Sequence, residues 1–449
     1  HTEDVSDSLA KNDTEVAKSN ILMLGPTGSG KTTQIPLILK EAGYTGNGII
    51  GITQPRRIAT LSVCSYIRKQ IECEKLSPDY CAYKMRFYDT TSSETKIKIL
   101  TDGMLLQELK TDPTLSRYSV IMVDEAHERS LNIDFILGLL KQICAVRNDI
   151  KVIISSATIN TSVFSAFFGK APVISIQGKA YEVDVLYRPI DFSRDVSEIY
   201  SGIAEIINEL LVDFKSGGYR DNQDTLVFLP GELDIKMTMQ EIYNSCDWKH
   251  LQIYPLYGRL NKEEQEQVFD DTLPGKMKVV LATNIAETSL TIDGIKSVID
   301  SGLAKINYYN QFDFTSSLVT RRISRSSAKQ RTGRAGRTAP GVCYRLYSEE
   351  EFNQWQEFTQ EEILRTDLSE VVLRMSDLAI YNYEDFPFIT RPHAKAIKSG
   401  EPDRVVPLFL PPGAEEYTDI TILALKTLIR VIDAGAYPME GFISDTASL

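Results

Sequence analysis

A chain of 449 residues, 43% of them hydrophobic and 24% charged, has room for about two to four domains with cores that need no disulfide support. Its net charge of −12 does not fit a passive nucleic-acid coat. No run reaches the ~18 apolar residues of a membrane span, and no charged n-region with an apolar h-region opens the chain. Six scattered cysteines without a C-x-x-C pair, and only four histidines, point away from zinc and disulfide frameworks and toward reduced intracellular thiols. The chain begins at His1, so a cropped or processed terminus is expected.

The first strand candidate, 21–24, runs into Gly25-Pro26-Thr27-Gly28-Ser29-Gly30-Lys31-Thr32 and then an amphipathic stretch at 34–39. Strand, glycine-rich turn and helix form the context of a phosphate-binding loop. There the glycines let successive N–H groups and the helix N-terminus converge on an anion. Lys31 is placed to reach the β- and γ-phosphates of a nucleoside triphosphate, and Thr32 to set its hydroxyl on Mg²⁺. Gly25, Thr27, Gly28, Ser29, Gly30 and Thr33 complete the expected cradle. The pattern alone arises by chance, but the strand before it and the helix after it carry the reading.

Further strand candidates follow at 49–53, 97–100, 120–123 and 152–155, with helical stretches at 59–70, 104–109 and 132–146. Such alternation means βαβ units and a mostly parallel sheet. The strand at 120–123 feeds directly into Asp124-Glu125-Ala126-His127-Glu128-Arg129-Ser130. Two adjacent carboxylates at the end of a buried strand suit metal-assisted phosphoryl transfer. Asp124 would hold the Mg²⁺ shell, and Glu125 would orient and deprotonate the attacking water. Thr32, Asp124 and Glu125 are therefore the expected metal-side residues. A solvated acidic loop is the plain alternative, and the phosphate-loop pattern upstream argues against it. Ser156-Ala157-Thr158 ends the next strand, where small hydroxyls could relay changes at the phosphate or simply cap a helix.

The pattern restarts after about residue 181, with strands at 225–229, 252–255, 279–282, 297–300 and 342–346 and helices at 196–212, 233–244 and 262–269. Two α/β domains in tandem are expected, with ligands at the carboxyl ends of their strands. A hairpin is expected between 305 and 322. From Arg321 to Arg337 basic residues accumulate with no acid between them, which suggests a local anion site. Gln330, Arg334 and Arg337 are spaced to share one helix face. From there an arginine can reach across a cleft to transition-state charge. An exposed basic helix is the alternative. Beyond 348 the chain reads as a polar stretch at 349–360, a helix at 363–378, a proline-containing loop at 386–412 and a last helix at 421–434.

In order, these motifs resemble the DEAH-box (DEAH/RHA) group of superfamily-two RNA helicases. The acidic motif reads Asp-Glu-Ala-His literally. Around it stand Thr53-Gln54-Pro55-Arg56-Arg57, Thr101-Asp102-Gly103-Met104-Leu105-Leu106 and the run from Leu281 through Thr283-Asn284 to Asp293-Gly294. The match runs from about 20 to 378. It implies an α/β fold of two tandem RecA-like P-loop domains with parallel sheets, over 1–180 and 181–350, and a partial winged-helix-like segment over 351–449.

The resemblance also implies roles. Arg56 or Arg57 with Phe269 would sandwich the base, a stacking that discriminates weakly among nucleoside triphosphates. Asp293 would touch the ribose, and Gln330, Arg334 and Arg337 the γ-phosphate. His127 would link the nucleotide state to interdomain contacts. Arg57, Thr101, Thr283 and Asn284 would grip the RNA backbone, and the hairpin would split duplexes. The implied activity is ATP-dependent, with ATP or other nucleoside triphosphates and Mg²⁺, driving 3′-to-5′ movement on single-stranded RNA or RNA with a 3′ overhang. A monomer is expected, intracellular and cytoplasmic, or nuclear in a eukaryote, with no membrane and with a glycine-rich-patch protein as a candidate activator. Two departures stand out. Pro26 replaces the acidic residue often found at the second loop position, and only a truncated winged-helix-like portion is expected where the family continues into ratchet and OB-fold domains. A DNA-dependent helicase and a nucleotide-binding scaffold without turnover are the alternatives, the second disfavoured by the intact catalytic positions.

Overall fold

The computed structural model describes residues 21–25, 29–157, 161–176, 181–191, 195–216, 224–287, 292–310, 315–337 and 339–392. Thr27, Gly28, Thr158 and the helix expected at 421–434 lie outside the described residues.

The first unit contains β1 (Ile21–Leu24), β2 (Ile49–Gln54), β3 (Cys81–Met85), β4 (Tyr88–Asp89), β5 (Ile97–Thr101), β6 (Tyr118–Val123), β7 (Lys151–Ser156) and β8 (Val173–Ser175). They form one sheet in the order β4-β3-β5-β2-β6-β7-β1-β8. Every pair is parallel except β3 with β4. β2 and β6 are buried along their whole length, as strands covered on both faces must be. One face packs Ile50, Ile52 and Met122 against Ile35, Val63 and Ile67 of the helices Lys31–Glu41 and Arg57–Ile71. The other packs Leu100, Ile121 and Val123 against Leu105, Ile133 and Ile136 of the helices Asp102–Thr111 and Leu131–Val146.

The second unit repeats the plan with β9 (Val183–Tyr187), β10 (Asp224–Phe228), β11 (Leu251–Leu256), β12 (Met277–Ala282) and β13 (Ile295–Asp300). An antiparallel hairpin of β14 (Leu303–Asn310) and β15 (Thr315–Arg322) follows, and then β16 (Gly341–Arg345). Its six strands run parallel in the order β11-β12-β10-β13-β16-β9. The two parallel-sheet α/β domains and the hairpin expected from the sequence are present. The strands β3, β4, β8 and β9 are not legible as apolar runs: β4 and β8 have only two and three residues, and β3 and β9 carry Lys84 and Asp184 within them.

Two helices differ from expectation. The stretch at 262–269 is α-helical only over Lys262–Glu266, under an Asn261/Glu264 capping box, and tightens to 3₁₀ over Gln267–Phe269. The stretch at 363–378 breaks into a 3₁₀ turn, Glu362–Leu364, and a helix, Ser369–Asp377. Asp367 accepts from the Ser369 N–H, a local bond that competes with helix continuation. Part of the polar stretch at 349–360 is a helix, Glu349–Gln354, held by a Ser348/Glu351 capping box.

After β16 the chain returns to the first unit. Ile363, Leu368, Val371, Val372, Met375, Phe386 and Phe388 join the core beside Phe135 and Ile136. Phe386 lies 5.3 Å from the Phe135 ring and 4.7 Å from that of Phe388. A Cβ on Gly138 would come within 2.3 Å of Phe386 Cε1, so the helix Leu131–Val146 needs glycine there. A segment too poor in apolar residues to fold alone thus borrows a core. Phe386→Ala should destabilise the first unit by ~3–5 kcal/mol, read as a lower urea midpoint. A midpoint equal to wild type would show that the segment is not part of that core.

Candidate active site

β1, β6 and β7 end at the same edge of the first sheet, and their connections build the site. Just past β1, the Gly25 N–H donates to Ser156 O at 3.2 Å. A Cβ on Gly25 would stand 3.0 Å from Ile176 O and from Ser29 Oγ, tight enough that those neighbours would have to give. Gly30, at φ +81°, turns the chain into the helix Lys31–Glu41, whose N-terminus no side chain caps. Such an uncapped start leaves backbone donors for an anion. Lys31 is buried, and its Nζ donates to Gly25 O and to Ser29 Oγ. Burial holds this ammonium below the usual lysine range, opposed by Glu125 and Asp124 and reinforced by Arg337.

Thr32 Oγ1 donates to Asp124 Oδ2 at 2.5 Å, and Gln54 Nε2 donates to the same oxygen at 2.8 Å. Asp124 is 1% exposed. Sequence alone gives Gln54 no role; what marks it is its place at the end of β2, paired with β6. Glu125 is buried with φ +50°, a left-handed backbone that costs about 1 kcal/mol or more for a non-glycine residue. Burial pushes its carboxyl above the usual range; His127 pulls it back, while Asp124 and Glu128 raise it further. A carboxyl shifted upward is suited to taking a proton. His127 Nδ1 lies 3.5 Å from Glu125 Oε2 and accepts from the Ala157 N–H at 3.5 Å, while its buried Nε2 has no hydrogen-bond partner among the described residues.

The second unit supplies the facing wall, in a form the spacing did not foretell. The helix Arg325–Thr332 carries Gln330 but stops at Thr332, with Gly333 as its C-cap. Arg334 and Arg337 therefore sit in the turns beyond, and the three do not share one helix face. Gly336 is the reason for the close fit of those turns: a Cβ there would meet Tyr181 O at 2.6 Å. Arg334 is 4% exposed and donates to Glu287 O. Burial holds its guanidinium well below the usual range, with Arg337 adding to the shift and Glu125 opposing it. Burial lowers Arg337 to about 10, opposed by Glu125 and Asp293. Both arginines thus feel the first unit's Glu125 across the cleft, and Asp293 stands near Arg337.

Arg331, counted from sequence among the anion-site cations, does something else. It is fully buried, pairing with Asp300 Oδ1 at 2.7 Å and Glu287 Oε2 at 3.1 Å. It also donates to Leu303 O, and its guanidinium lies 4.8 Å from the Phe228 ring centre. Nothing in the residue pattern separates it from its neighbours.

Arg57 is exposed at the start of its helix, its guanidinium 5.7 Å from the Tyr88 ring centre. Thr101 ends β5, and Thr283 and the exposed Asn284 follow β12. All lie at carboxyl ends of strands. Phe269 is partly exposed at the close of its 3₁₀ turn. The Arg56 guanidinium lies on Asn284 O, Ile285 O and Glu128. Beside the acidic motif opens a cavity of about 580 Å³, lined by His127, Glu128, Asn284, Lys305 and Gln330 among others. Among the described residues no group of three or more His, Cys, Asp or Glu could hold a metal by itself. Thr32 Oγ1 and the Asp124 carboxylate form a small hard-oxygen set, which fits Mg²⁺ completed by phosphate oxygens and water.

Residues 9–166 match the family model described as DEAD/DEAH box helicase, and residues 203–339 that described as helicase conserved C-terminal domain. The chain is 50% identical over 381 residues to the ATP-dependent RNA helicase HrpA of Borreliella burgdorferi, covering 85% of this chain and 45% of that protein. It is 43% identical over 387 residues to the ATP-dependent RNA helicase HrpA of Escherichia coli, covering 85% of this chain and 28% of that one. Its structure resembles the crystal structure of the Escherichia coli DEAH/RHA helicase HrpB, with a TM-score of 0.78 at 29% identity over 90% of this chain and 50% of that chain. The chain thus spans half or less of the length of these relatives.

Asp102, buried in the first turn of the helix Asp102–Thr111, is pushed up to about 7 by burial, with Glu128 and Asp124 adding and Thr53 opposing. An unfolded aspartate ionises near ~3.9. The folded chain therefore keeps a proton that the unfolded chain has lost, and stability should fall as pH rises toward 7 and level off above it. Asp102→Asn should flatten that slope in urea titrations between pH 5 and 8. Identical slopes in the two proteins would exclude this assignment.

Proposed function

This chain belongs to the DEAH-box helicase family, and on that premise we propose that it hydrolyses ATP and other nucleoside triphosphates to move 3′ to 5′ along single-stranded RNA, remodelling RNA duplexes or RNA–protein complexes. The observation that carries the reading is the convergence of Lys31, Thr32, Asp124 and Glu125 from one sheet with Arg334 and Arg337 from the other. Neither unit holds both sets.

In this reading Gly25, Thr27, Gly28, Ser29, Gly30 and Thr33 wrap the phosphates, and Lys31 reaches the terminal pair. Thr32 and Asp124 would hold Mg²⁺, which when bound supplies positive charge to the phosphate oxygens. Glu125 orients the attacking water and takes its proton, aided by an upward-shifted carboxyl. Gln330, Arg334 and Arg337 close over the γ-phosphate and stabilise the charge that develops as it leaves. Phe269 stacks on the base and Asp293 touches the ribose, while the Arg56 guanidinium is engaged by Asn284 O, Ile285 O and Glu128. His127, between Glu125 and the Ala157 N–H, passes the nucleotide state toward the cleft. Arg57, Thr101, Thr283 and Asn284 hold phosphates and sugars, a grip that reads no sequence. Closing and opening of the cleft then alternate the two grips along the strand.

The names of the relatives support RNA over DNA as the track. A 3′ overhang is the loading site and a glycine-rich-patch protein the candidate activator of a monomeric motor at work inside the cell. No helix among the described residues is long and apolar enough to cross a membrane.

Steady-state ATP hydrolysis with Mg²⁺, measured alone, with single-stranded RNA and with DNA of equal length, tests the assignment. RNA should stimulate turnover and DNA should do so less. Glu125→Gln should keep nucleotide affinity and lower kcat by about 10² or more. Undiminished hydrolysis in that variant would sink the proposed chemistry, and equal stimulation by DNA would overturn the choice of RNA.

A further inference from the structure

Arg56 is a side chain of the first unit that touches main chain of the second. Its Nη1 donates to Asn284 O at 2.9 Å and to Ile285 O at 2.6 Å, and its Nη2 lies 3.3 Å from Glu128 Oε1. Its own backbone is fixed, since its carbonyl accepts from the Thr60 N–H and Oγ1 at 3.1 Å as the helix Arg57–Ile71 begins. A planar guanidinium can serve two carbonyls and a carboxylate at once. The side chain is 19% exposed, as is that of Glu128, so solvent screens the contact only partly.

The turn it holds is gripped from the other side as well. Glu287 O accepts from Arg334, and the Glu287 carboxylate pairs with Arg331 and accepts from Ser327 Oγ. One short turn, Asn284–Glu287, is therefore clasped by the first unit through Arg56 and by the second unit's own basic segment. It follows directly on Thr283 and begins at Asn284, the residues assigned above to the RNA backbone.

We infer that Arg56, braced by Glu128 of the acidic motif, is an interdomain latch: it fastens the turn Asn284–Glu287 to the first unit when the cleft closes, so that nucleotide-driven closure and the RNA grip become one event. The role is one of positioning, and it rests on the nucleotide-driven cycle proposed above. It also claims the guanidinium that a base-stacking role would need.

The test uses the full chain with spin labels on Cys73, which is exposed in the first unit, and on Lys236→Cys, exposed in the second. Distances are read by pulsed electron resonance with Mg²⁺ and a non-hydrolysable ATP analogue, beside kcat, KM and the affinity for a fluorescent ATP analogue. Arg56→Gln should lengthen or broaden the interdomain distance and lower kcat by about tenfold, with nucleotide affinity within about threefold of wild type. Arg56→Lys should recover part of kcat. Glu128→Gln should act in the same direction and add little on top of Arg56→Gln, because the two side chains act as one unit. An unchanged distance distribution in Arg56→Gln would overturn the latch. So would a variant that loses nucleotide affinity tenfold at unchanged kcat, which is the signature of a base contact. If the wild-type chain shows no hydrolysis, the functional reading falls, while the distance comparison still decides whether Arg56 holds the two units together.

Discussion

Thr32 and Asp124 stand 92 residues apart in sequence, and a single hydrogen bond between them joins the first turn of the helix Lys31–Glu41 to the end of β6. That bond exists because the strands of the first sheet, all but β4, run the same way, bringing successive strand ends to one edge. A carboxylate left bare at such a buried edge would cost several kcal/mol. Asp124 avoids this by accepting from both Thr32 and Gln54. The same edge then holds Lys31 and Glu125 close enough to shift each other's protonation, so the geometry of the sheet becomes the electrostatics of the site.

The second unit answers with arginines whose roles diverge over a few residues. Arg331 turns inward, and its charge is tolerable only because Asp300 and Glu287 both meet it. Arg334 and Arg337 emerge after the helix has ended and oppose Glu125. The helix end matters: continuing the helix to 337 would put these side chains at fixed 3.6-residue intervals, whereas the glycine turns let the backbone press against Tyr181 and redirect them. Glu287 belongs to both stories, its carboxylate holding Arg331 and its carbonyl Arg334.

The segment after β16 ties the two units together mechanically. It leaves the second sheet, inserts Phe386 and Phe388 beside Phe135, and places Glu361 against Arg129 just past the acidic motif. Arg129 also pairs with the fully buried Asp134. The second unit is therefore joined to the residues beside Asp124 and Glu125 by a covalent route as well as across the cleft.

Much of this was legible in the residues. The apolar runs before Gly25, Asp124 and Thr283 declared strands, and the motifs at their ends named the residues that meet at one sheet edge, because a parallel sheet brings successive strand ends together. Local sequence carried no such signal for β3 or β9, interrupted by Lys84 and Asp184, or for β8, only three residues long. It could not say which arginine in 331–337 is core and which faces the cleft, since that depends on where Asp300 and Glu287 arrive. Nor could it show that Arg56 reaches across to Asn284 and Ile285, 228 and 229 residues away. The sequence by itself determined the two parallel sheets and the inventory of the site. Only the tertiary structure decided the partners, because a hydrogen bond or ion pair is set by distance in space, which spacing along the chain does not contain.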